Sequence, residues 1–214
     1  METTQSNDSS FKEITRQSYQ ATAQEFADNV AELAPLASIN EFMSLLPTQP
    51  KILELGSGSG RDAKVFSELG ADVLGVDYCS NLIDIAKEHA PLAKFKLMDI
   101  EDIDFPAAAF DGVWAICVLG HINKTSLPAI LNKIYYSLKP QGYFYLAVKQ
   151  GRGEDLIIDT RYSGNHRKYW SFFEKEEISS LLESAQFKIT DLSLVEKNDP
   201  YQTQPAFRIF CQKP

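Results

Sequence analysis

Apolar positions along this 214-residue chain switch between helical and strand spacing. Phe26, Val30 and Leu33 fall on one face of a first helix that Pro35 interrupts. Ile39, Phe42, Met43 and Leu46 repeat that period up to the connector from Pro47 to Pro50, where proline disfavours further helix. From Lys51 the texture changes to short apolar runs separated by helical patterns. Lys51–Leu55, Asp72–Val76, Phe95–Met98, Gly112–Cys117 and Tyr143–Val148 read as strands, with helices near Arg61–Leu69, Asn81–His89 and Ser126–Leu138. In the last of these, Leu127, Ile130, Leu131, Ile134 and Leu138 keep i, i+3, i+4, i+7, i+11 spacing, and Pro140-Gln141-Gly142 supplies a stop and turn. Such alternation predicts βαβ units around a largely parallel sheet.

Outside that core the pattern is less regular. The first ten residues are polar and are expected to be mobile. Gln150–Phe173 has no clean period and reads as an insertion. Ser171 and Glu174 then form a candidate capping box for a helix carrying Ile178, Leu181, Leu182 and Ala185. Phe187–Val195 and Ala206–Gln212 close the chain as an antiparallel edge pair. The organisation predicted is an N-terminal helical cap over residues 1–48 and an α/β domain over 49–214, with a lid insertion near 150–173.

Composition narrows the function classes. With 21 basic and 29 acidic side chains the net charge is -8, which disfavours a nucleic-acid partner. Three cysteines, odd in number and not closely paired, indicate reduced thiols rather than a disulfide framework or a metal site. The amino terminus lacks an apolar core of a signal peptide and no run reaches the roughly 18 apolar residues of a membrane span, so a cytoplasmic protein with no membrane partner is expected.

The chemistry concentrates after the first sheet strand. Gly56-Ser57-Gly58-Ser59-Gly60 between a strand and a helix lets backbone approach a nucleotide-like ligand, because glycine has no Cβ to collide with it. The third glycine comes one residue too early for the dinucleotide fingerprint, and Arg61 stands where it should be. No Gly-Lys-Ser/Thr follows, which excludes a P-loop. Asp77 and Asp99 end the next two strands, placed to accept from ribose hydroxyls and from an exocyclic amine. With no phosphate receiver and no metal site, the implied ligand is an adenosine carrying something other than phosphate.

Glu54-Leu55-Gly56-Ser57-Gly58-Ser59-Gly60, Asp77, Asp99-Ile100, Phe110-Asp111-Gly112-Val113 and Leu138-Lys139-Pro140-Gln141-Gly142 together resemble the motif series of class I S-adenosylmethionine-dependent methyltransferases, in order over Lys51 to Lys149. The likeness is nearest to the small-molecule branch of ubiquinone-biosynthesis type. It implies a Rossmann-like seven-stranded, mostly parallel sheet with an antiparallel C-terminal hairpin and helices on both faces. It also implies S-adenosylmethionine as cofactor, with Gly56, Ser57 and Gly58 by the methionine part, Asp77 on the ribose, Asp99 on adenine, and Tyr78 and Ile100 walling the base. Glu54 is expected to tie down the glycine loop, Tyr19 to cover the cofactor or simply to pack, and Cys117 to form a pocket wall. Gln141 and Cys79 depart from the glycine and serine that the family often has there.

The remaining candidates carry alternatives. Asp77 competes with a plain role beside a helix terminus, although Ser80 is the better cap for that helix. Asp99 heads an acidic run of the kind found in solvated loops. Arg61 is placed to pair with a ligand carboxylate or to lie on the surface. Cys117 has no evident basic neighbour to activate it. His121 is either a general base or a histidine bonded to a neighbouring loop. Tyr162, Arg167, Tyr169 and Trp170 concentrate aromatics and positive charge in the insertion, as an acceptor-recognising lid or as packing. The expected reaction is in-line methyl transfer from S-adenosylmethionine to a small-molecule acceptor. Protein methylation, a non-catalytic sensor of the cofactor and a nucleotide-dependent oxidoreductase are the rivals. Ala115-Ile116-Cys117-Val118 lacks the Asn/Asp-Pro-Pro-Tyr/Phe motif of enzymes that methylate base amines.

Overall fold

The computed structural model describes residues 3–197 and 199–214, and of residues 3–10 the backbone alone. Three helices lead, α1 (Thr3–Ala21), α2 (Ala23–Val30) and α3 (Leu36–Leu45). The alternating core follows: β1 (Lys51–Leu55), α4 (Arg61–Glu68), β2 (Asp72–Asp77), α5 (Ser80–His89), β3 (Lys94–Leu97), β4 (Phe110–Ile116), α6 (Leu127–Ser137) and β5 (Leu138–Lys149). A hairpin of β6 (Glu154–Ile158) and β7 (Arg167–Ser171) precedes α7 (Lys175–Ser184), β8 (Lys188–Val195) and β9 (Ala206–Gln212). The main sheet has seven strands in the order β3-β2-β1-β4-β5-β9-β8, parallel through β5 and antiparallel beyond. That is the predicted architecture. Among the described residues no helix is long and apolar enough to cross a membrane.

Strand alternation sorts the core into two layers. Leu53, Leu55, Val113 and Ala115 face α6 and α7, packing with Leu131, Ile134, Ile178 and Leu182. Ile52 and Trp114 face the other way, against Ile39 and Phe42 of α3 and Phe66 of α4. Trp114 stacks on Tyr145 with ring centroids 3.8 Å apart, and its indole N–H donates to Asp62 Oδ2 at 2.9 Å, which ties the first turn of α4 to the sheet. Because both faces are covered, the central strands are almost continuously apolar, which is why they stood out in the sequence.

Four local expectations are corrected. The mobile first ten residues fall partly on residues 1–2, outside those described, but from Thr3 the backbone is helical. α1 escaped notice because its buried side is made of hydroxyls: Thr15 and Ser18, and Thr22 at its junction with α2, are all buried. Thr15 and Thr22 donate to the carbonyls of Phe11 and Ser18 one turn back, whereas among the described residues the buried Ser18 Oγ has no partner. The helix of Phe26 and Val30 ends at Val30, before Leu33. Second, the stop at Pro140-Gln141-Gly142 lies inside β5, where the register against β4 shifts between Phe110 and Gly112. Third, the insertion is not irregular, since β6 and β7 pair antiparallel from Glu154–Ser171 to Ile158–Arg167. Fourth, neither proposed cap forms. Ser171 Oγ donates to the Ile122 carbonyl at 2.7 Å instead, and α5 is capped by Cys79, with Ser80 already in its first turn.

β1 is flanked by β2 on one side and β4 on the other, so the connections after β1 and β4 leave the sheet in opposite directions. A crevice opens at the carboxyl ends of these two strands.

Candidate active site

The crevice is a cavity of about 380 Å³, inside the range of small-ligand sites. At one end lies the glycine loop. Gly56 takes φ +65°, and a Cβ there would fall 2.4 Å from Val118 Cγ2, so only glycine lets the 3₁₀ turn Val118–His121 close over the loop. Gly58 N–H donates to Asp77 Oδ2 and Cys79 N–H to Asp77 Oδ1, both at 2.9 Å. Asp77 thus knits the loop after β1 to the start of α5. Burial pushes its pKa up to about 6, against the pull of those backbone donors. Cys79 keeps the small thiol buried, donating to Gln20 Oε1 of α1 at 3.1 Å.

Glu54 sits on the α4 face of β1. Burial, reinforced by the charge of Asp62, raises its pKa well above the ordinary value. One of its oxygens takes a backbone bond from Ala63, whereas among the described residues Oε2 has no partner, and neither has the buried Ser57 Oγ. Two orphaned buried polar atoms on the wall of a cavity are costly unless a ligand satisfies them. Beside them Arg61 pairs with Asp62 at 2.6 Å and also lines the cavity.

Tyr19, Glu54, Gly56, Ser57, Gly58, Asp77, Tyr78, Asp99, Ile100, Cys117, His121 and Trp170 all border this one cavity. Three lid candidates do not. Arg167 is exposed on β7 because the strand's pleat turns its neighbour Lys168 inward. Tyr162 is buried behind the cavity, its hydroxyl bonded to that of Tyr201. Tyr169 stacks on Phe11 of α1 at 5.6 Å and faces a separate hollow of about 210 Å³.

Asp99 does not lie in a solvated acidic loop. Lys12 of α1 forms ion pairs with both Asp99 and Glu101, closing the cavity beside Asp99. Burial lowers the Lys12 pKa, but hydrogen bonds to the two carboxylates outweigh it and leave the pKa raised.

His121 hangs from the turn after β4. Its Nδ1 is 2.7 Å from the Tyr169 carbonyl, which only accepts, so Nδ1 carries the proton and Nε2 accepts the Tyr19 hydroxyl at 2.9 Å. Burial pushes its pKa down to about 3, helped by the positive charges of Lys168, Lys149 and Arg161. Cys117, at φ +60° just before that turn, does have basic neighbours, contrary to the sequence reading. Lys149, Arg61 and Arg161 draw its pKa down, yet burial wins and the thiol stays protonated.

The methyltransferase domain model of known protein families matches residues 19–192, four-fifths of the chain. The chain belongs to this methyltransferase family. A ubiquinone biosynthesis O-methyltransferase from Xanthomonas axonopodis pv. citri is 24% identical over 210 residues, covering 89% of this chain and 87% of that protein. Phosphoethanolamine N-methyltransferase 3 of Arabidopsis thaliana is 30% identical over 124 residues, covering 55% of this chain but only 25% of the plant protein, so the chain spans a quarter of that relative's length. Among solved structures, the 1,6-didemethyltoxoflavin-N1-methyltransferase of Burkholderia thailandensis, with 1,6-didemethyltoxoflavin and S-adenosylhomocysteine bound, superposes with a TM-score of 0.74 at 22% identity, over 94% of this chain and 87% of its own.

The chemistry of this family is methyl transfer from S-adenosylmethionine, and the methyltransferase cavity fits that cofactor on its own terms. It has a bare backbone cradle at Gly56, unsatisfied acceptors at Glu54 and Ser57, and carboxylates at the tips of β2 and β3. Sequence reasoning missed Lys12, Lys149, Asp159, Lys168 and Tyr201. A lysine at the carboxyl end of β5, next to the strand-order reversal, was the one available signal. Asp159 and Lys168 meet only through the hairpin, which no local pattern announces.

Proposed function

We propose that the chain transfers the methyl group of S-adenosylmethionine to a small-molecule acceptor that enters beneath the β6–β7 hairpin. The observation that carries this reading is that one cavity is lined by the glycine loop, Asp77 and Asp99 together with Cys117, His121 and Trp170. Gly56, Ser57, Gly58 and Glu54 would hold the amino-acid part of the cofactor, Asp77 the ribose, and Asp99 with Tyr78 and Ile100 the base. When bound, the cofactor supplies a methyl group on a positively charged sulfur, which an acceptor lone pair takes while the sulfur keeps the bonding electrons. The protein's task is alignment, worth about 7 to 11 kcal/mol of barrier in well-oriented systems.

Residues 1–48 act as a cap and the 150–173 hairpin as a lid, a division supported by α1, which packs on β7 through the Phe11–Tyr169 stack and the bond from Tyr169 N–H to Thr15 Oγ1 at 2.9 Å. Where the acceptor still carries a proton, His121 Nε2 receives it through the Tyr19 hydroxyl. A small molecule rather than a nucleic acid suits the net charge of -8 and a pocket closed on two sides by α1 and the hairpin. The toxoflavin precursor and phosphoethanolamine relatives act on small molecules too, as their names state.

Calorimetric titration with S-adenosylhomocysteine and with NAD tests the reading. The former should bind and Asp77→Ala should weaken it, and affinity for NAD alone would overturn the proposal. A metabolite screen for a mass gain of one methyl group then identifies the acceptor, whereas a cofactor bound but never consumed would mark a sensor.

A further inference from the structure

The acceptor end of the cavity holds more positive charge than it can neutralise. β5 ends at Lys149, whose side chain is only 8% exposed and borders the cavity. Its ammonium lies 3.2 Å from the centroid of the Trp170 ring, and among the described residues no carboxylate comes within 4 Å of it. Arg161 borders the same cavity. It grips Asp159 through Nε at 2.7 Å and Nη2 at 2.6 Å, and Nη1 reaches the Tyr201 carbonyl at 3.2 Å. Lys168, fully buried on β7, stands 3.0 Å from Asp159 Oδ2 without hydrogen-bond alignment and lies over the rings of Tyr19 at 3.8 Å and Tyr162 at 4.0 Å.

Against three cations there stands the carboxylate of Asp159, which pairs with Arg161 and Lys168 and leaves Lys149 without an ion pair among the described residues. The other groups at this end bring no negative charge, since His121 is neutral and Cys117 is a thiol. The nearest further acids are engaged elsewhere: Glu154 accepts from the Tyr169 and Ser171 hydroxyls and from Lys124 N–H, and Asp62 is taken by Arg61 and Trp114. A buried excess of positive charge is unfavourable in the empty protein and becomes favourable once an anion enters. Donors also remain to receive one. Among the described residues the Lys149 ammonium has no hydrogen-bond acceptor, and two of the five guanidinium N–H of Arg161 are uncommitted. In a chain of net charge -8 this is a local and enclosed exception.

We propose that the methyl acceptor is an anion, whose carboxylate or phosphate group is held by Lys149 and Arg161 against Trp170, with Lys168 adding charge from behind. The proposal rests on the methyltransferase reading and specifies its substrate class. The negative group anchors the molecule under the hairpin and leaves its nucleophilic atom to face the glycine-loop end. Ile116, Val118 and Ala147 add apolar lining to the same cavity, which suits a compact acceptor with an aromatic or short aliphatic body.

The test uses the whole chain saturated with S-adenosylhomocysteine, titrated calorimetrically with benzoate, with inorganic phosphate and with neutral benzamide. At least one anion should bind ten-fold or more tightly than benzamide, and the tighter of the two shows whether the group is a carboxylate or a phosphate. Lys149→Met should remove that preference, and Lys149→Arg, which keeps the charge, should retain most of it. Melting curves confirm that both variants fold. Equal binding of the three probes, or unchanged anion affinity in Lys149→Met, overturns the proposal. So does a Lys149→Met variant that loses S-adenosylhomocysteine instead, since the lysine would then serve the donor. Failure of the wild-type chain to bind S-adenosylhomocysteine at all would sink the methyltransferase reading itself, a separate result.

Discussion

The Tyr19 hydroxyl donates to His121 Nε2 at 2.9 Å, joining α1 to the turn after β4 across 102 residues of sequence. Both side chains line the cavity half-buried and share this one bond, so the proton-relay role proposed for them makes them a single unit rather than two independent contacts. For an acceptor that must lose a proton, Tyr19→Phe and His121→Ala are expected to lower turnover by similar factors, within the roughly 10²- to 10⁴-fold of general base catalysis. The double variant should be little worse than either single one. Affinity for S-adenosylhomocysteine should hold, and unchanged turnover in His121→Ala would remove the residue from the reaction.

The same burial makes His121 a source of acid sensitivity. Its pKa falls from the ordinary 6.5 to about 3 in the fold, so between those values the unfolded chain holds the extra proton. The stabilisation linked to the neutral ring is complete above pH 6.5 and is lost as pH falls through the window, at about 1.4 kcal/mol per pH unit. Asp77, raised to about 6, has the opposite sign but is common to wild type and variant and cancels from their difference. Denaturant titrations at pH 7 and pH 5 should show the wild-type advantage over His121→Asn shrinking at the lower pH. A gap independent of pH would contradict the assignment.

How much of this was legible depends on what the residues pack against. Ile52, Leu53, Val113 and Leu146 lie in strands covered on both sides, and such runs declare themselves by hydropathy alone. The glycine loop after β1 and the acids at the ends of β2 and β3 were readable because a ligand at strand ends demands small residues and acceptors at fixed offsets. α1 was not, because Thr15 and Ser18, and Thr22 at its junction with α2, bury hydroxyls where a helix ordinarily buries carbon. Arg167 was chosen over Lys168 because charge says nothing about which side of a pleat a residue takes, and the pairing of β6 with β7 decided it.

Lys12 offers a direct test of the cap. Its ion pairs with Asp99 and Glu101 pin α1 over the end of the cavity assigned to the base. The pairs are partly exposed, so Lys12→Met should cost no more than about 1 kcal/mol of stability. It should nevertheless speed S-adenosylhomocysteine association at least three-fold in stopped-flow measurements, because Asp99 is freed and α1 is released. An association rate equal to that of wild type would show that α1 does not gate the cavity.

Gly56 tests the cradle. A methyl group there meets Val118 Cγ2 at 2.4 Å and must also adopt φ +65°, so Gly56→Ala carries both a clash and backbone strain. A loss of about 1–3 kcal/mol is expected from the backbone alone, with S-adenosylhomocysteine binding abolished. Adding Val118→Ala should recover little of the melting temperature, because the Cβ that alanine keeps still meets the new methyl group at 2.5 Å and the strain persists. A Gly56→Ala protein with wild-type stability and binding would mean that the loop does not use this conformation.

The buried lysines predict a proton count. Burial lowers the pKa of Lys149 and of Lys168 to about 8, opposed by Asp159 and, for Lys149, by Cys117, and reinforced by Arg161. Near pH 8 each ammonium is therefore partly deprotonated in the empty cavity. An anion seated on Lys149 favours the charged form and raises both pKa values, so binding must draw protons from the buffer. Titrations of benzoate at pH 8 in two buffers of different ionisation enthalpy should give different apparent enthalpies, corresponding to a fraction of one proton per lysine taken up. At pH 6.5, where both lysines are already charged, the buffer dependence should vanish. Proton release at pH 8, or uptake undiminished at pH 6.5, would contradict the lysine assignment.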